Sequence, residues 1–191
     1  NFGVSEQAME KMPKKEKFIF QAPVPGPLAE DKRAAAASLG PSSQDFAFRT
    51  TQEAVVKRTK SGDVRIIDSS KVKASTTIAA AVVTVHPGGI RELHWHPNAD
   101  EWQYYIQGQA RTTSFQGGGK ARTIDFHAGD VGYIERSRPH YIENTGQQDL
   151  EFLEVFKSDR YQDISLKQWM SHLPPELVAA HLHINPERIR L

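Results

Sequence analysis

Between residues 46 and 156 the chain consists of short β-branched or aromatic runs, at 64–67, 76–85, 102–106, 111–115, 123–126, 131–134, 141–142 and 150–156, divided by turn residues. Many short strands at close, fairly regular spacing predict an antiparallel sandwich or barrel. No strand–helix alternation and no glycine-rich phosphate loop interrupts them, which argues against a doubly wound nucleotide-binding fold. Gly117, Gly118 and Gly119 stand between two of the runs and predict a hairpin turn.

The flanks differ in character. Residues 21–45 hold Pro23, Pro25, Gly26, Pro27, the run 34–37 of alanines, Gly40 and Pro41, and read as a mobile surface connector. After the strands, two helices are expected, near 165–172 and from Pro174 and Pro175 to about 181. Leu166, Trp169, Met170, Leu177 and Leu182 would give this hairpin an apolar face suited to an oligomer. At the start, Phe2 and Val4 precede Ser5 as cap and a helix at 6–12 stopped by Pro13. At the end, Leu182 and Ile184 precede Asn185 as cap, Pro186, and a helix beginning at 187–191. If the two ends correspond, residues 1–12 are the tail of a preceding copy of the same unit. The expected division is then 1–12 as that tail, 13–62 as extension and connector, 63–160 as barrel and 161–191 as helices.

Composition narrows the chemistry. The chain has 191 residues, with 24 Lys and Arg against 23 Asp and Glu, a formal net charge of +1 that speaks against nucleic acid or an anionic membrane as partner. No run approaches the roughly 20 apolar residues of a spanning helix, so a soluble protein is expected, cytoplasmic or secreted. Absence of cysteine rules out disulfides, thiolate metal sites and a cysteine nucleophile, leaving the 8 histidines as the obvious metal ligands.

In the stretch Arg91-Glu92-Leu93-His94-Trp95-His96-Pro97 two histidines flank one residue of a strand-like run, so His94 and His96 face the same way. Glu101 follows, where a short turn would return its carboxylate to that face, and His140 opens a later run. Three imidazoles and a carboxylate suit a six-coordinate ion with open positions, manganese(II) or less well iron(II), better than zinc. The open positions would take an oxygen-donor substrate or dioxygen. His86, His127, His172, His181 and His183 read as ordinary surface or core histidines.

Gly88, His94, His96, Glu101 and Gly108 match the first cupin motif, and Gly129, His140 and Asn144 most of the second. The runs Arg-Glu-Leu-His-Trp-His-Pro, Asp-Glu-Trp-Gln-Tyr-Tyr, Ala-Gly-Asp-Val-Gly-Tyr and His-Tyr-Ile-Glu-Asn resemble bicupin oxalate decarboxylases, over almost the whole chain and closest to their C-terminal cupin domain. Glu135 and Ser137 depart from the second motif, which has Pro and Gly there, so the turn before His140 is expected to differ locally. The resemblance implies a double-stranded β-helix of jelly-roll type with a C-terminal helical hairpin. It also implies a manganese(II) site formed by His94, His96, Glu101 and His140, oxalate cleaved to formate and carbon dioxide, and dioxygen as redox participant. A homo-oligomer, a trimer or a dimer of trimers, with a preceding N-terminal cupin domain, belongs to the same expectation.

Arg91 and Glu154 are the further candidates. Arg91, three positions before His94, could hold a substrate carboxylate by paired charged hydrogen bonds. Glu154 lies between Leu153 and Val155 in an apolar strand, matches a carboxylate near the family's metal, and is the expected proton donor or acceptor. Trp95 should point away from the metal, toward packing or a subunit contact where the family position makes electron transfer conceivable. Trp102, Tyr104 and Tyr105 read mostly as core. The family's N-terminal domain carries a mobile Ser-Glu-Asn lid; here the connection 157–163, Lys-Ser-Asp-Arg-Tyr-Gln-Asp, lacks it. Oxalate oxidase and a non-catalytic, manganese-holding assembly domain are therefore the alternatives to a decarboxylase.

Overall fold

Alternation of inward apolar and outward side chains builds two antiparallel sheets over a shared core in the second of the chain's two units, 44–191. The computed structural model describes residues 5–11, 15, 18–40, 43–52 and 57–189. The expectations placed on Phe2, Val4, Met12, Pro13 and Pro41 lie outside these residues.

The first unit, 1–43, contains α1 (Glu6–Glu10) and α2 (Leu28–Leu39). The second helix corrects the reading of 21–45 as plain connector. Its alanine run, the best intrinsic helix former, propagates a helix that Pro27 opens and Gly40, at φ 76°, ends. No residue of α2 is buried, so the segment remains a surface element.

In the second unit β1 (Lys57–Thr59), β2 (Gly62–Ile67), β3 (Ala79–Val85), β4 (Ile90–Trp95), β5 (Glu101–Gln107) and β6 (Gln109–Gln116) are followed by β7 (Lys120–His127), β8 (Val131–Ile134), β9 (His140–Asn144), β10 (Leu150–Phe156) and β11 (Ile164–Ser165). One sheet runs β1-β2-β3-β10-β5-β8, the other β11-β4-β9-β6-β7, and every pairing is antiparallel. The run expected from 76 begins as a strand only at Ala79; the glycine turn at 117–119 joins β6 to β7 as expected. The helices are α3 (Leu166–Ser171), capped by the Ser165 hydroxyl accepting from the Gln168 N–H, and α4 (Pro175–Leu182). The expected terminal helix is only a 3₁₀ turn, Pro186–Arg188, because the capping Asn185 side chain accepts from the Glu187 N–H and no α-helical turn follows among the described residues.

The core joins both sheets through Val64, Ala81, Val83, Tyr105, Ala110, Ile142, Leu150 and Phe152. On β5 the alternation puts Glu101, Gln103 and Tyr105 inside and Trp102, Tyr104 and Ile106 outside, correcting the expectation that most of these aromatics are core. Tyr105 stacks on Phe126 at 4.6 Å while its hydroxyl reaches the Gln103 Oε1 and Thr112 Oγ1 atoms, linking the apolar core to a polar end of the barrel.

Two backbone positions show why the motif residues matter. Gly108 turns β5 into β6 at φ 85°, and a Cβ there would meet the Asp149 carbonyl oxygen at 2.7 Å. Ser137, where the motif has Gly, adopts φ 61° while its N–H donates to the His96 carbonyl at 2.9 Å. The turn keeps its left-handed geometry and Ser137 carries the strain. Ser137→Gly is expected to raise unfolding stability by about 0.5–1 kcal/mol, relief of left-handed strain less the added freedom of the unfolded chain. Gly108→Ala is expected to lower it by at least about 2 kcal/mol. Denaturant midpoints check both, and coincident midpoints for the three proteins would contradict the strain assignment.

Candidate metal centre

A β-bulge sets the stage. Along β4 and β9 the partners run Arg91↔Ile142 and then His94↔His140, so β4 carries one extra residue between them. In an unbroken strand, residues three apart face opposite ways; the bulge turns Arg91 and His94 to the same interior face, where both are buried. His96 follows β4 directly, before Pro97. Glu101 begins β5 in the opposite sheet, and His140 begins β9 beside His94.

One ligand atom from each of His94, His96, Glu101 and His140 lies within 4.8 Å of the others, and all four residues are buried. Each imidazole is tied back through Nδ1 to a backbone carbonyl: His94 to Glu92 at 2.7 Å, His96 to Gln162 at 2.7 Å and His140 to Arg138 at 3.0 Å. Since a carbonyl only accepts, Nδ1 carries the proton and Nε2 keeps its lone pair. All three Nε2 atoms and Glu101 Oε2 are buried without a hydrogen-bond partner among the described residues. His96 and His140 Nε2 approach Glu101 Oε2 at 3.2 and 3.0 Å, close enough for one cation to bind all three atoms in place of these contacts. Four buried ligand atoms converging on one point are a donor set for a cation. Gln103 Nε2 donates to Glu101 Oε1 at 2.8 Å and its own Oε1 accepts from Tyr105, which fixes the carboxylate's orientation.

The electrostatics divide the imidazoles: burial lowers His96, but the close contact and charge of Glu101 outweigh it and raise His96, so in the metal-free protein it is drawn toward the positive charge that a bound cation would supply. His94 is held well below the usual imidazole range by burial, then by Arg91 and His140, and so stays neutral. Burial pushes Glu101 up, but His140 and His96 outweigh it and hold the carboxyl well below its ordinary value. Glu154, inward on β10, is completely buried and neither of its oxygens has a partner among the described residues. Burial, then repulsion from Glu101, push it up to about 7. Arg91 donates from Nη2 to Asp163 Oδ2 at 2.7 Å and to the Tyr161 hydroxyl at 3.0 Å, while its buried Nε–H has no partner among the described residues. Both Glu154 and Arg91 therefore lie within electrostatic reach of the cluster, as their mutual influence and that on His94 show.

The connection 157–163 is pinned rather than free. Asn98 Nδ2 donates to Ser158 Oγ and the Arg160 carbonyl, and Asp68 accepts from the Tyr161 N–H and pairs with Arg160. The Gln162 carbonyl orients His96. Tyr161, Gln162, Asp163 and Gln103 thus support the site without having been singled out by sequence. Gln103 carried a signal, a polar residue at an inward position of β5; the loop residues carried none, because their roles are backbone and second-layer contacts. Trp95 points elsewhere, its ring 6.4 Å from that of Trp169 on α3. His86 pairs with Asp149, His172 and His181 bond the Gln168 and Leu177 carbonyls, His183 ends α4 in the left-handed region, and His127 is exposed near Asp130.

Against known proteins, the profile of the cupin family matches residues 49–190. The chain is 46% identical over 190 residues to the oxalate decarboxylase OxdC of Bacillus subtilis, covering 98% of this chain and 48% of that protein. It is 40% identical over 190 residues to a probable oxalate decarboxylase of Arthroderma benhamiae, covering 99% and 46%. A solved structure of the Bacillus subtilis oxalate decarboxylase, studied for its Mn(II) centres, superposes with a TM-score of 0.85 at 44% identity, over 99% of this chain and 50% of that one. The chain spans about half the length of the curated relatives it matches. Two antiparallel sheets, the matched profile and the shared fold make this chain a member of the cupin family.

Proposed function

We propose that this chain is a manganese(II)-binding cupin unit of an oxalate decarboxylase, which converts oxalate and one proton to formate and carbon dioxide. The observation that carries the reading is four ligand atoms without hydrogen-bond partners among the described residues, converging beside a buried carboxyl and a guanidinium N–H that have none there either. Relatives named as oxalate decarboxylases, one of them with Mn(II) centres, support the substrate and the metal. His94, His96, Glu101 and His140 would hold the ion, which when bound supplies charge to polarise a substrate carboxylate and, with dioxygen, redox capacity.

The chain's own residues supply the rest. Arg91 binds a carboxylate of oxalate through the N–H groups that Asp163 and Tyr161 leave over, the Nε–H among them, with charge-assisted hydrogen bonds. Glu154 exchanges the proton: cleavage leaves the bonding electron pair on the formate carbon, and that carbon must then receive a proton. In the metal-free protein burial and the Glu101 charge push this carboxyl up to about 7, and a carboxyl raised toward neutrality is suited both to give a proton and to recover it. Burial of Glu154 and of the ligand set keeps bulk water from the reacting carbon. Assembly with further cupin units, through residues such as the half-exposed Trp169, Leu177 and Leu182 of the C-terminal hairpin, completes the reading.

Manganese-loaded protein supplied with oxalate in air at mildly acidic pH is expected to yield one formate and one carbon dioxide per oxalate consumed. Peroxide with two carbon dioxides would make it an oxidase, and neither product would make it an assembly domain. Glu154→Gln should reduce formate at least about 100-fold with metal content unchanged; undiminished turnover would remove the proton role.

Gln103→Leu frees Glu101 Oε1 and should weaken manganese binding about 10- to 100-fold in a competition titration, with the fold retained. An unchanged affinity would show that Glu101 needs no such brace.

In metal-free protein, Glu154 titrates near 7 folded against about 4.5 unfolded. Below 4.5 both states are protonated; between 4.5 and 7 only the unfolded state ionises, so the wild type loses stability as pH rises, by up to about 3 kcal/mol. Glu154→Gln should remove that loss, its advantage over wild type growing across this window and levelling above 7. A pH-independent difference in denaturant stability would contradict the raised pKa.

A further inference from the structure

We propose that Asp163 is the positioning residue of Arg91, holding one corner of the guanidinium so that its remaining N–H groups meet the substrate carboxylate in a fixed orientation. The inference rests on the reading above, that Arg91 binds oxalate, and adds a residue to which sequence gave no role. An arginine side chain has many rotamers to lose, so a guanidinium is an effective anion receptor only when something else fixes it. Here Nη2 alone makes both local bonds, to Asp163 Oδ2 at 2.7 Å and to the Tyr161 hydroxyl at 3.0 Å, and the buried Nε–H is left over.

Asp163 is itself held from several sides. Lys57 Nζ donates to its Oδ1 and Oδ2 at 3.1 and 3.2 Å, so the carboxylate sits between two cations and its charge does not cancel that of Arg91 outright. In sequence it lies between Tyr161, whose N–H is tied to Asp68, and Ile164–Ser165, which pairs with β4 at Trp95 and His94. The anchor therefore moves with the ligand strand itself. Two carboxylates act on Arg91, the buried Glu154 and the partly buried Asp163, and Asp163 is the one that receives its hydrogen bond; Glu154 keeps both oxygens without a partner among the described residues. By capturing the guanidinium, Asp163 leaves Glu154 free of a direct bond that would remove it from proton exchange.

The test is a double-mutant cycle on the manganese-loaded full chain, read by calorimetric oxalate binding and by the KM of formate production. Asp163→Asn should weaken oxalate binding and raise KM about 10- to 100-fold with manganese content unchanged, and Asp163→Glu should recover part of the loss. In an Arg91→Gln background, Asp163→Asn should cause no further loss, because it acts through Arg91. Losses that add would overturn the proposal and leave the decarboxylase reading standing; wild-type protein that holds manganese but binds no oxalate would overturn both. Should Arg91→Gln fail to fold, the Arg91 Nε–H proton resonance carries the test. Read in metal-free protein, where no paramagnetic ion broadens it, it should be sharp and slow to exchange in the wild type and broadened in Asp163→Asn, and an unaltered resonance would overturn the proposal.

Discussion

A buried imidazole nitrogen or carboxylate oxygen with no partner is costly, and this barrel places four of them together. The surrounding structure is organised so that they neither pair with one another nor turn away. Backbone carbonyls of Glu92, Gln162 and Arg138 occupy the outer nitrogen of each histidine, Gln103 occupies the outer oxygen of Glu101, and Tyr105 ties Gln103 to the apolar core. Rotation of any ligand would break one of these bonds. The arrangement is stable as a donor set for a cation and strained as anything else.

The same constraint explains how chemistry and fold divide the barrel. Leu150 and Phe152 of β10 pack into the core, and two residues on, the inward position is Glu154, which no apolar requirement explains. The bulge in β4 brings Arg91 to the same interior, and the connection 157–163 supplies Tyr161 and Asp163 to hold it. The fold alone does not dictate a reaction, since cupin-type barrels serve many roles; what narrows it here is the juxtaposition of a candidate cation site, a buried carboxyl without a partner among the described residues and an anchored arginine.

Much of this was legible in sequence, for identifiable reasons. Period-2 alternation made the strands and the shared direction of His94 and His96 readable, and a lone Glu between Leu153 and Val155 flagged Glu154. Other features were hidden. Alternation alone would send Arg91 and His94 to opposite faces; only the bulge, a local pairing irregularity, reverses that. The α2 helix was masked by the Pro and Gly residues around its alanine run, and the outward Trp102 and Tyr104 by the tendency to assign aromatics to the core. Asp163 and Gln162 act through contacts across 66 to 106 positions of chain, which no local pattern encodes.

The central claim is that the four preorganised ligands constitute a manganese(II) site. Elemental analysis of purified chain dialysed against manganese, combined with electron paramagnetic resonance of the bound ion, tests it most directly. One manganese per chain, with a six-coordinate signal that disappears in His140→Ala protein, is expected. A folded chain that takes up no manganese, or whose bound manganese is unaffected by loss of His140, would contradict it.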